Sequence, residues 1–296
     1  MYPDLSGNEH RFTQINYFIF FGGIVKQKKE GVNNLDNNKF VSQLVRKILE
    51  GELTTKEEIY KLFSSNRNCF DLLFSANNIR ERYKQEKIDL CGVINAKSGL
   101  CNQDCKFCAQ ASAHSVDIDV YPLLSKEKIV NHAKIVVKNN ASHYGIVTSG
   151  KKVNDKEIKI ICDSIKEISR KYPVRVDASL GTLDLEHFIK LKEAGLQRYH
   201  HNLETSEHFF PKICTTHSYQ DRINTIKNAK SAGLKVCSGG LFGLGEDWKD
   251  RIDLAFLLKD LQVDSIPLNF LSPVKGTALG EKEKISPIDA LKTIFI

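Results

Sequence analysis

The sequence predicts an α/β fold made of repeated β–α units, with a helical segment in front of them. From about residue 88, short β-branched and aromatic runs alternate with amphipathic helical patterns of about four turns. Two of these helical patterns stop at a glycine, Gly195 and Gly233, the residue that commonly ends a helix in the left-handed conformation. Hydrophobic residues make up 41% of the chain and charged residues 27%, as in globular proteins.

Residues 1–37 differ in composition from the rest. The apolar run INYFIFFGGIV, residues 15–25, is followed by the polar, Asn-rich KQKKEGVNNLDNN. The run is shorter than the about 20 residues needed to cross a bilayer, and no small-residue cleavage site follows it. We therefore interpret residues 1–37 as an appendage and linker and expect no membrane association; a signal peptide is the alternative.

Residues 38–87 predict a helical lead-in. FVSQLVRKILEGELTTKEEIYKLFSS has helical spacing, and Thr55 with Glu58 forms a capping box for its second helix. CFDLLFSANNIRERYKQEK predicts a third helix.

Residues 88–296 predict the β–α domain. Its six strand candidates are KIDLCGVINA, HYGIVTSG, PVRVDASLG, QRYHHNLET, KVCSGGLFGL and VDSIPLNFL. Strands that alternate with helices predict a parallel sheet with right-handed crossovers, and the chemistry of such folds gathers at the carboxyl ends of the strands. Because a closed barrel needs eight strands, six units predict an incomplete one.

Three cysteines lie within eight positions in SGLCNQDCKFCAQ: Cys101, Cys105 and Cys108. Structural zinc usually takes four ligands from two C-x-x-C pairs, or one pair with histidines, and here only His114 is near enough to be a fourth ligand. Three thiolates on one loop would instead bind three irons of a [4Fe–4S] cluster and leave the fourth iron open to a cofactor. Zinc and a chance grouping stay open as alternatives.

The C-x3-C-x2-C spacing, with aromatic Phe107 before the last cysteine, resembles the signature of the radical S-adenosylmethionine (SAM) superfamily. The resemblance implies a TIM-type radical SAM (βα) barrel. It also implies that the open iron chelates the amino and carboxylate groups of SAM, and that an electron from the cluster generates a 5′-deoxyadenosyl radical.

A closer resemblance is to biotin synthase, from about residue 40 to the end of the chain. It is carried by SLGTL, HHNLETS, CTTHSYQDR, KVCSGGLFGLGE and DSIPLNFLSPVKGTAL, in that order. It implies sulfur insertion into dethiobiotin, the last step of biotin biosynthesis. Two hydrogen abstractions would each consume one adenosyl radical, and a second iron–sulfur cluster would supply the sulfur.

The resemblance also implies site residues. Asn202 and Glu204 match contacts to SAM and substrate, Arg222 matches an arginine near SAM, and Asn269 matches an asparagine near dethiobiotin; Phe107 belongs to the cofactor loop. Glycines of GGLFGLGE would bring backbone close to the adenosine. The alternatives are a solvated acid at Glu204 and a plain strand-to-helix turn at the glycines.

The chain departs from the family at the auxiliary cluster, which well-known members bind with three cysteines and an arginine. Cys237 matches one cysteine, but Gly145 and Asp177 occupy the positions of the other two. The arginine would fall beyond residue 296. The resemblance extends to members with cysteine at the position of Cys214 and glycine at that of Gly145, which implies a differently ligated auxiliary cluster, either [2Fe–2S] or a variant.

The remaining cysteines, Cys69, Cys91 and Cys162, lie in apolar patterns and are predicted to be core residues. Eight unevenly spaced cysteines exclude a secreted disulfide scaffold and indicate a reducing cytoplasm. The net charge of +7 is spread over helical faces, so we expect no nucleic acid partner. An acidic flavodoxin or ferredoxin would suit this surface as electron donor, and the family resemblance implies a homodimer.

Three other functions remain open at this stage. The first is a related radical SAM enzyme without sulfur insertion, which the two missing auxiliary cysteines favour. The second is a remnant, truncated and inactive, that binds a cluster or SAM. The third is a structural zinc protein.

Overall fold

A computed structural model describes residues 34–64, 69–84 and 89–296. Most of the predicted appendage, including the apolar run at residues 15–25, lies outside the described residues. Among the described helices, none is both long enough and apolar enough to cross a membrane.

The helical lead-in consists of α1 (Asn34–Leu49), α2 (Lys56–Ser64) and α3 (Cys69–Lys84). The predicted capping box at α2 is confirmed: the Thr55 N–H donates to Glu58 Oε2 at 2.8 Å, and the Glu58 N–H donates to Thr55 Oγ1 at 3.2 Å. The apolar faces of these helices form a small separate core with one residue from the β–α part. Its buried members are Val41, Leu44, Ile59, Leu62, Leu72 and Ile252.

The predicted alternation of parallel strands and helices is confirmed. The strands are β1 (Cys91–Lys97), β2 (His143–Thr148), β3 (Arg175–Ser179), β4 (Arg198–His200), β5 (Lys235–Cys237), β6 (Gly240–Phe242) and β7 (Leu268–Phe270). The helices between and after them are α4 (Lys126–Lys138), α5 (Asp155–Lys171), α6 (Leu185–Glu193), α7 (Tyr219–Ser231), α8 (Trp248–Asp260) and α9 (Pro287–Ile294). Strands β1 to β5 form one parallel sheet in chain order, and β6 pairs with β7.

The fifth predicted strand, KVCSGGLFGL, is two strands rather than one. The break lies at Ser238 and Gly239, where the Ser238 N–H donates to the Ser265 carbonyl at 2.9 Å. A Cβ on Gly239 would lie 1.9 Å from the Pro267 carbonyl oxygen, so only glycine fits this close approach. The chain bends here and passes from the five-stranded sheet to the β6–β7 pair.

The two faces of the five-stranded sheet carry different side chains because successive residues of a strand point to opposite sides. The outward side chains, such as Tyr144, Val176 and Tyr199, are fully buried in the main core, and the Tyr144 hydroxyl donates to the Ile129 carbonyl of α4. We call the opposite side the inner face. Strand register places Gly145, across from Asp177, on that face.

Glycines end two of the helices and shape the loop that follows β3. Gly195 and Gly233 take φ of 105° and 75°, which confirms the left-handed helix ends. Gly181, after β3, has φ of 80°, and a Cβ there would lie 2.0 Å from the Lys151 carbonyl oxygen. That same oxygen accepts the Thr182 N–H at 2.7 Å. Residue 181 must therefore be glycine for two reasons. Its φ is positive, and a Cβ would clash with the Lys151 carbonyl oxygen in the loop after β2.

We expect Gly181→Ala to destabilise the protein more than Gly233→Ala, which is a matched control because it has positive φ with nothing near its Cβ. The control should lose about 1–2 kcal/mol from backbone strain. Gly181→Ala should lose a further ~1–3 kcal/mol from crowding. Urea unfolding measures both losses, and equal losses would contradict the close approach of the two loops.

Candidate active site

The three-cysteine loop follows β1 and closes on itself. The Cys101 N–H donates to the Gln110 carbonyl at 3.0 Å, and the Cys101 carbonyl accepts the Ser112 N–H at 2.8 Å. Within the loop, the Cys108 N–H donates to the Cys105 carbonyl at 2.9 Å. The Gln110 side chain also accepts the Gly99 N–H. These bonds close the loop on itself, and the Lys106 N–H and carbonyl join it to Ile213 and Leu279 of other segments.

The Cys108 thiol is partly buried in a negatively charged environment. Burial raises the pKa of Cys108, and the nearby Cys101 thiol and Glu204 carboxylate raise it further. Three soft donors on a closed loop fit the thiolate ligands of a [4Fe–4S] cluster, and a metal would supply the positive charge that this group lacks.

His114, the candidate fourth zinc ligand, directs its ring toward the backbone. Its Nε2 lies 3.1 Å from the Cys105 carbonyl oxygen. Because this nitrogen is engaged with the loop backbone, the structure does not favour the zinc alternative for the three-cysteine loop.

Glu204 lies just after β4 in an unusual backbone conformation. Its φ is 70°, a left-handed value that is uncommon for a residue with a side chain. The backbone is held there because the Glu204 carbonyl accepts the Leu241 N–H at 2.7 Å and its N–H donates to the Gly239 carbonyl at 3.2 Å. Such strain is typical of functional positions.

The Glu204 carboxylate is paired with Arg222. The distance from Glu204 Oε1 to Arg222 Nη1 is 3.6 Å, and both side chains are largely buried. Arg222 Nη1 also donates to the Asn202 carbonyl at 2.6 Å. Burial raises the pKa of Glu204, while Arg222 and a hydrogen bond from Asn202 oppose the rise.

Two predicted asparagines contact the bend between β5 and β6. Asn202 Oδ1 accepts the Gly239 N–H at 3.1 Å, and Asn269 Nδ2 donates to the Gly240 carbonyl at 3.3 Å. The structure thus brings Asn202, Glu204 and Asn269 to one segment of backbone. Phe107 is partly buried and packs against the main core, so its ring has a packing role.

The glycine-rich segment after β6 is closed by Glu246. This buried carboxylate accepts the N–H groups of Gly243, Leu244 and Gly245 at 2.9, 2.8 and 3.1 Å, and Arg251 Nε at 2.9 Å. Gly239 allows the close approach of the Pro267 backbone, and Gly240 leaves room for the side chains of Leu254 and Phe242. The structure therefore favours the alternative interpretation of this motif as a strand-to-helix turn.

A second polar group lies on the inner face, and we call Cys91, His143, Asp177, Arg198 and Cys237 the inner-face group. Asp177 Oδ2 lies 2.9 Å from His143 Nδ1 and 3.0 Å from Arg198 Nε. Asp177 Oδ1 is buried and has no hydrogen-bond partner among the described residues. Desolvation raises the pKa of Cys91 to about 11; the Asp177 carboxylate and the Cys237 thiol add to the shift, and Arg198 opposes it.

The prediction that Cys91 is a core residue is wrong. Cys91 is exposed to solvent at the start of β1, although the surrounding groups of the inner face still desolvate its thiol enough to raise the pKa. The same prediction is confirmed for Cys162, which is buried on α5. The side chain of Cys69 lies outside the described residues.

Gly145 leaves room beside the inner-face group. A Cβ at this position would make only ordinary contacts, the nearest at 3.4 Å from Val93 Cγ2. The family cysteine expected there is therefore not excluded by crowding. Sequence reasoning had not singled out His143 or Arg198, although each is a polar residue beside an apolar one in a strand pattern, HYGIV and RYH.

Cys214 lies beside the three-cysteine loop. Its Sγ is 3.7 Å from Cys105 Sγ and 3.2 Å from His217 Nδ1. The interpretation of Cys214 as a replacement ligand for the auxiliary cluster is not supported by this position. His217 was not singled out from the sequence, although the spacing C-x2-H in CTTH is a local signal for a cysteine–histidine pair.

Comparison with known proteins agrees with this arrangement. Residues 97–258 match the family model of the radical SAM superfamily. A biotin synthase of Endomicrobium trichonymphae is 46% identical over 86% of this chain and 79% of its own length. A biotin synthase of Clostridium botulinum (strain Alaska E43) is 48% identical over 86% of this chain and 80% of its own length.

Solved structures show the same fold at low identity. Methylornithine synthase superposes with a TM-score of 0.75 at 21% identity, covering 85% of this chain and 74% of that protein. A maturase of the [FeFe]-hydrogenase has a TM-score of 0.75 at 19% identity over 87% of this chain and 60% of its own. The predicted TIM-type radical SAM barrel is confirmed, with β1 to β5 and the β6–β7 pair as its described strands. The chain belongs to the biotin synthase family of the radical SAM superfamily.

Proposed function

We propose that this chain is a biotin synthase, which converts dethiobiotin to biotin with SAM and a [4Fe–4S] cluster. The observation that carries the proposal is the closed three-cysteine loop after β1, in a chain 46–48% identical to biotin synthases. A cytoplasmic location follows from the use of free cysteines. The domain boundaries 1–37, 38–87 and 88–296 are part of the same proposal.

Cys101, Cys105 and Cys108 would hold the cluster. When bound, the cluster supplies the electron that cleaves SAM and so generates the 5′-deoxyadenosyl radical. The chain contributes a loop that is held in place by backbone hydrogen bonds, so the loop keeps its shape when a metal displaces the protons of the thiols. Phe107, in the same loop, supports it by packing on the core.

Asn202, Glu204 and Arg222 would bind SAM. A carboxylate that faces ribose hydroxyls is the arrangement of dinucleotide sites, which suits Glu204. Arg222 offers a guanidinium that can pair with a carboxylate through two hydrogen bonds. Its bond to the Asn202 carbonyl fixes its position before any ligand arrives.

Asn202 and Asn269 would position dethiobiotin. Asn202, after β4, and Asn269, in β7, both hydrogen-bond to the bend between β5 and β6. These bonds fix the segment after β4 and strand β7 relative to each other. A rigid inner face keeps the reacting carbon close to the adenosyl group and excludes water from the radical.

The inner-face group would hold the auxiliary cluster that supplies sulfur. Cys91 and Cys237 offer two thiols, and the unpartnered Asp177 Oδ1 offers a third ligand. A carboxylate is a harder ligand than a thiolate, although it does coordinate iron. Arg198 would balance the negative charge of such a ligand set. An acidic flavodoxin or ferredoxin as electron donor and a homodimeric state complete the proposal.

The direct test uses the anaerobically reconstituted, reduced chain with SAM, with and without dethiobiotin. We expect 5′-deoxyadenosine whose formation rises with dethiobiotin, together with biotin. A radical SAM enzyme without sulfur insertion would form 5′-deoxyadenosine but no biotin. A binding remnant with a full cluster would form neither product.

Glu204→Gln should raise the KM for SAM by about tenfold, equal to ~1.4 kcal/mol, because a charged acceptor becomes a neutral one. Glu207→Gln is the matched control, since Glu207 is exposed three residues further along the chain. Steady-state rates of 5′-deoxyadenosine formation at several SAM concentrations give the KM of each variant. An unchanged KM in Glu204→Gln would remove Glu204 from the SAM site.

Cys237→Ala should keep 5′-deoxyadenosine formation and abolish biotin formation, because it removes one auxiliary ligand and leaves the three-cysteine loop intact. The iron content per chain should fall by the amount that the auxiliary cluster contributes. Cys162→Ala, a buried cysteine on α5, is the control and should retain both products. Biotin formed at the wild-type rate by Cys237→Ala would show that the sulfur does not come from this group.

A further inference from the structure

Two loops far apart in sequence are tied together at the three-cysteine loop. The Lys106 N–H donates to the Ile213 carbonyl at 3.0 Å. The Asp104 carboxylate accepts the N–H groups of Thr215 and Thr216, at 2.9 and 3.2 Å, as well as both of their hydroxyls. These bonds hold Cys214 against Cys105.

Three potential metal ligands meet at this junction, with the Asp104 carboxylate beside one of them. Cys105 Sγ and Cys214 Sγ are 3.7 Å apart, and ligand atoms of Cys105, Cys214 and His217 all lie within 4.8 Å of one another. Asp104 Oδ1 lies 3.2 Å from Cys214 Sγ. Both cysteines are buried, so a bound ion would be shielded from water.

The distances match tetrahedral zinc. With Zn–S bonds of about 2.3 Å at a tetrahedral angle, two thiolates are separated by about 3.8 Å. The observed 3.7 Å is therefore the edge of a zinc tetrahedron without any movement of the two sulfur atoms. His217 Nδ1, 3.2 Å from Cys214 Sγ, is close to a third vertex, and Asp104 adjoins the fourth.

We propose that Cys105, Cys214 and His217, with Asp104 beside the fourth position, form a site for one thiophilic divalent ion, Zn²⁺ or Fe²⁺, in the cluster-free chain. Because Cys105 also belongs to the three-cysteine loop, this ion and the [4Fe–4S] cluster exclude each other. The site goes beyond the proposed function, since it does not depend on SAM cleavage or on dethiobiotin.

Ion binding would disturb Arg222. At present Arg222 Nε donates to His217 Nε2 at 3.1 Å, which leaves the ring hydrogen on Nδ1. Coordination through Nδ1 needs the lone pair of that nitrogen, so the single ring hydrogen must pass from Nδ1 to Nε2 through solvent, with no net release of a proton from the ring. The contact of Nδ1 with Gln103 Oε1, at 2.9 Å, is lost in this change. Arg222 must then give up this contact, while it keeps its partners at Asn202 and Glu204. The two thiols release their protons on binding, and the resulting thiolates balance the charge of the ion.

The test titrates Co²⁺, a spectroscopic substitute for Zn²⁺, into the reduced, cluster-free chain under anaerobic conditions. Cys237→Ala is the background, so that the two thiols of the inner-face group cannot form a competing site. We expect one Co²⁺ per chain, tetrahedral visible bands and thiolate-to-cobalt charge-transfer absorption. Competition with Zn²⁺ should remove all of these signals.

Ligand variants in the same background decide the assignment. Cys214→Ala should abolish the charge-transfer absorption, and His217→Ala should shift the visible bands and weaken binding by at least roughly tenfold, the lower range for loss of even an outer-shell partner. Cys101→Ala and Cys108→Ala should bind Co²⁺ as the background does. If those two variants lose Co²⁺ while Cys214→Ala retains it, the ion lies on the three-cysteine loop and the proposal is wrong.

Cluster assembly gives a second readout that needs no activity. Zinc added in equimolar amount before iron and sulfide should slow the growth of the cluster absorbance by at least roughly tenfold, the factor that a difference of about 1.4 kcal/mol produces. In Cys214→Ala the same zinc should have no effect. Circular dichroism confirms that each variant is folded, and equal slowing in Cys214→Ala would overturn the proposal.

Discussion

The structure depends on the in-register parallel pairing of β1 to β5. Each step along a strand moves a side chain to the other face, so one register sorts the whole sheet. Apolar side chains such as Tyr144, Val176 and Tyr199 are buried outward against the helices. The inner-face group is on the other side, with Asp177 hydrogen-bonded to His143 and Arg198 on the two neighbouring strands. A shift of one residue in the register of a strand would turn its apolar side chains to the inner face and its polar side chains into the core.

A second constraint acts where the strands end. Arg222 joins the segment after β4 to α7 through the Asn202 carbonyl and the Glu204 carboxylate. Asp104 joins the three-cysteine loop to the segment that contains Cys214. These two sets of charged hydrogen bonds fix the cysteine thiols relative to the residues proposed for SAM. They also place Cys105 where it belongs to both the three-cysteine loop and the proposed ion site with Cys214.

Much of this architecture is predictable from the sequence because it rests on local periodicity. The alternation of strands and helices, the capping box at Thr55 and the glycines that end α6 and α7 are all local signals. The split of the fifth strand was not predicted, because the bend at Gly239 is caused by the Pro267 carbonyl of a distant strand.

The errors at the site have the same origin. Cys91 was assigned to the core because an apolar parallel strand does not reveal which face is inward. The contact between Cys105 and Cys214 spans 109 positions and depends on how two loops pack, which periodicity cannot report. The three cysteines themselves were found because their spacing is local.

The central claim is that the chain holds two separate clusters, one on the three-cysteine loop and one at the inner-face group. Iron-edge anomalous diffraction from crystals of the anaerobically reconstituted chain tests this claim most directly. The account predicts two iron peaks. One should be bound by Cys101, Cys105 and Cys108 beyond the end of β1, and the other by Cys91 and Cys237 near its start. A single peak, or a second peak away from Cys237, would contradict it.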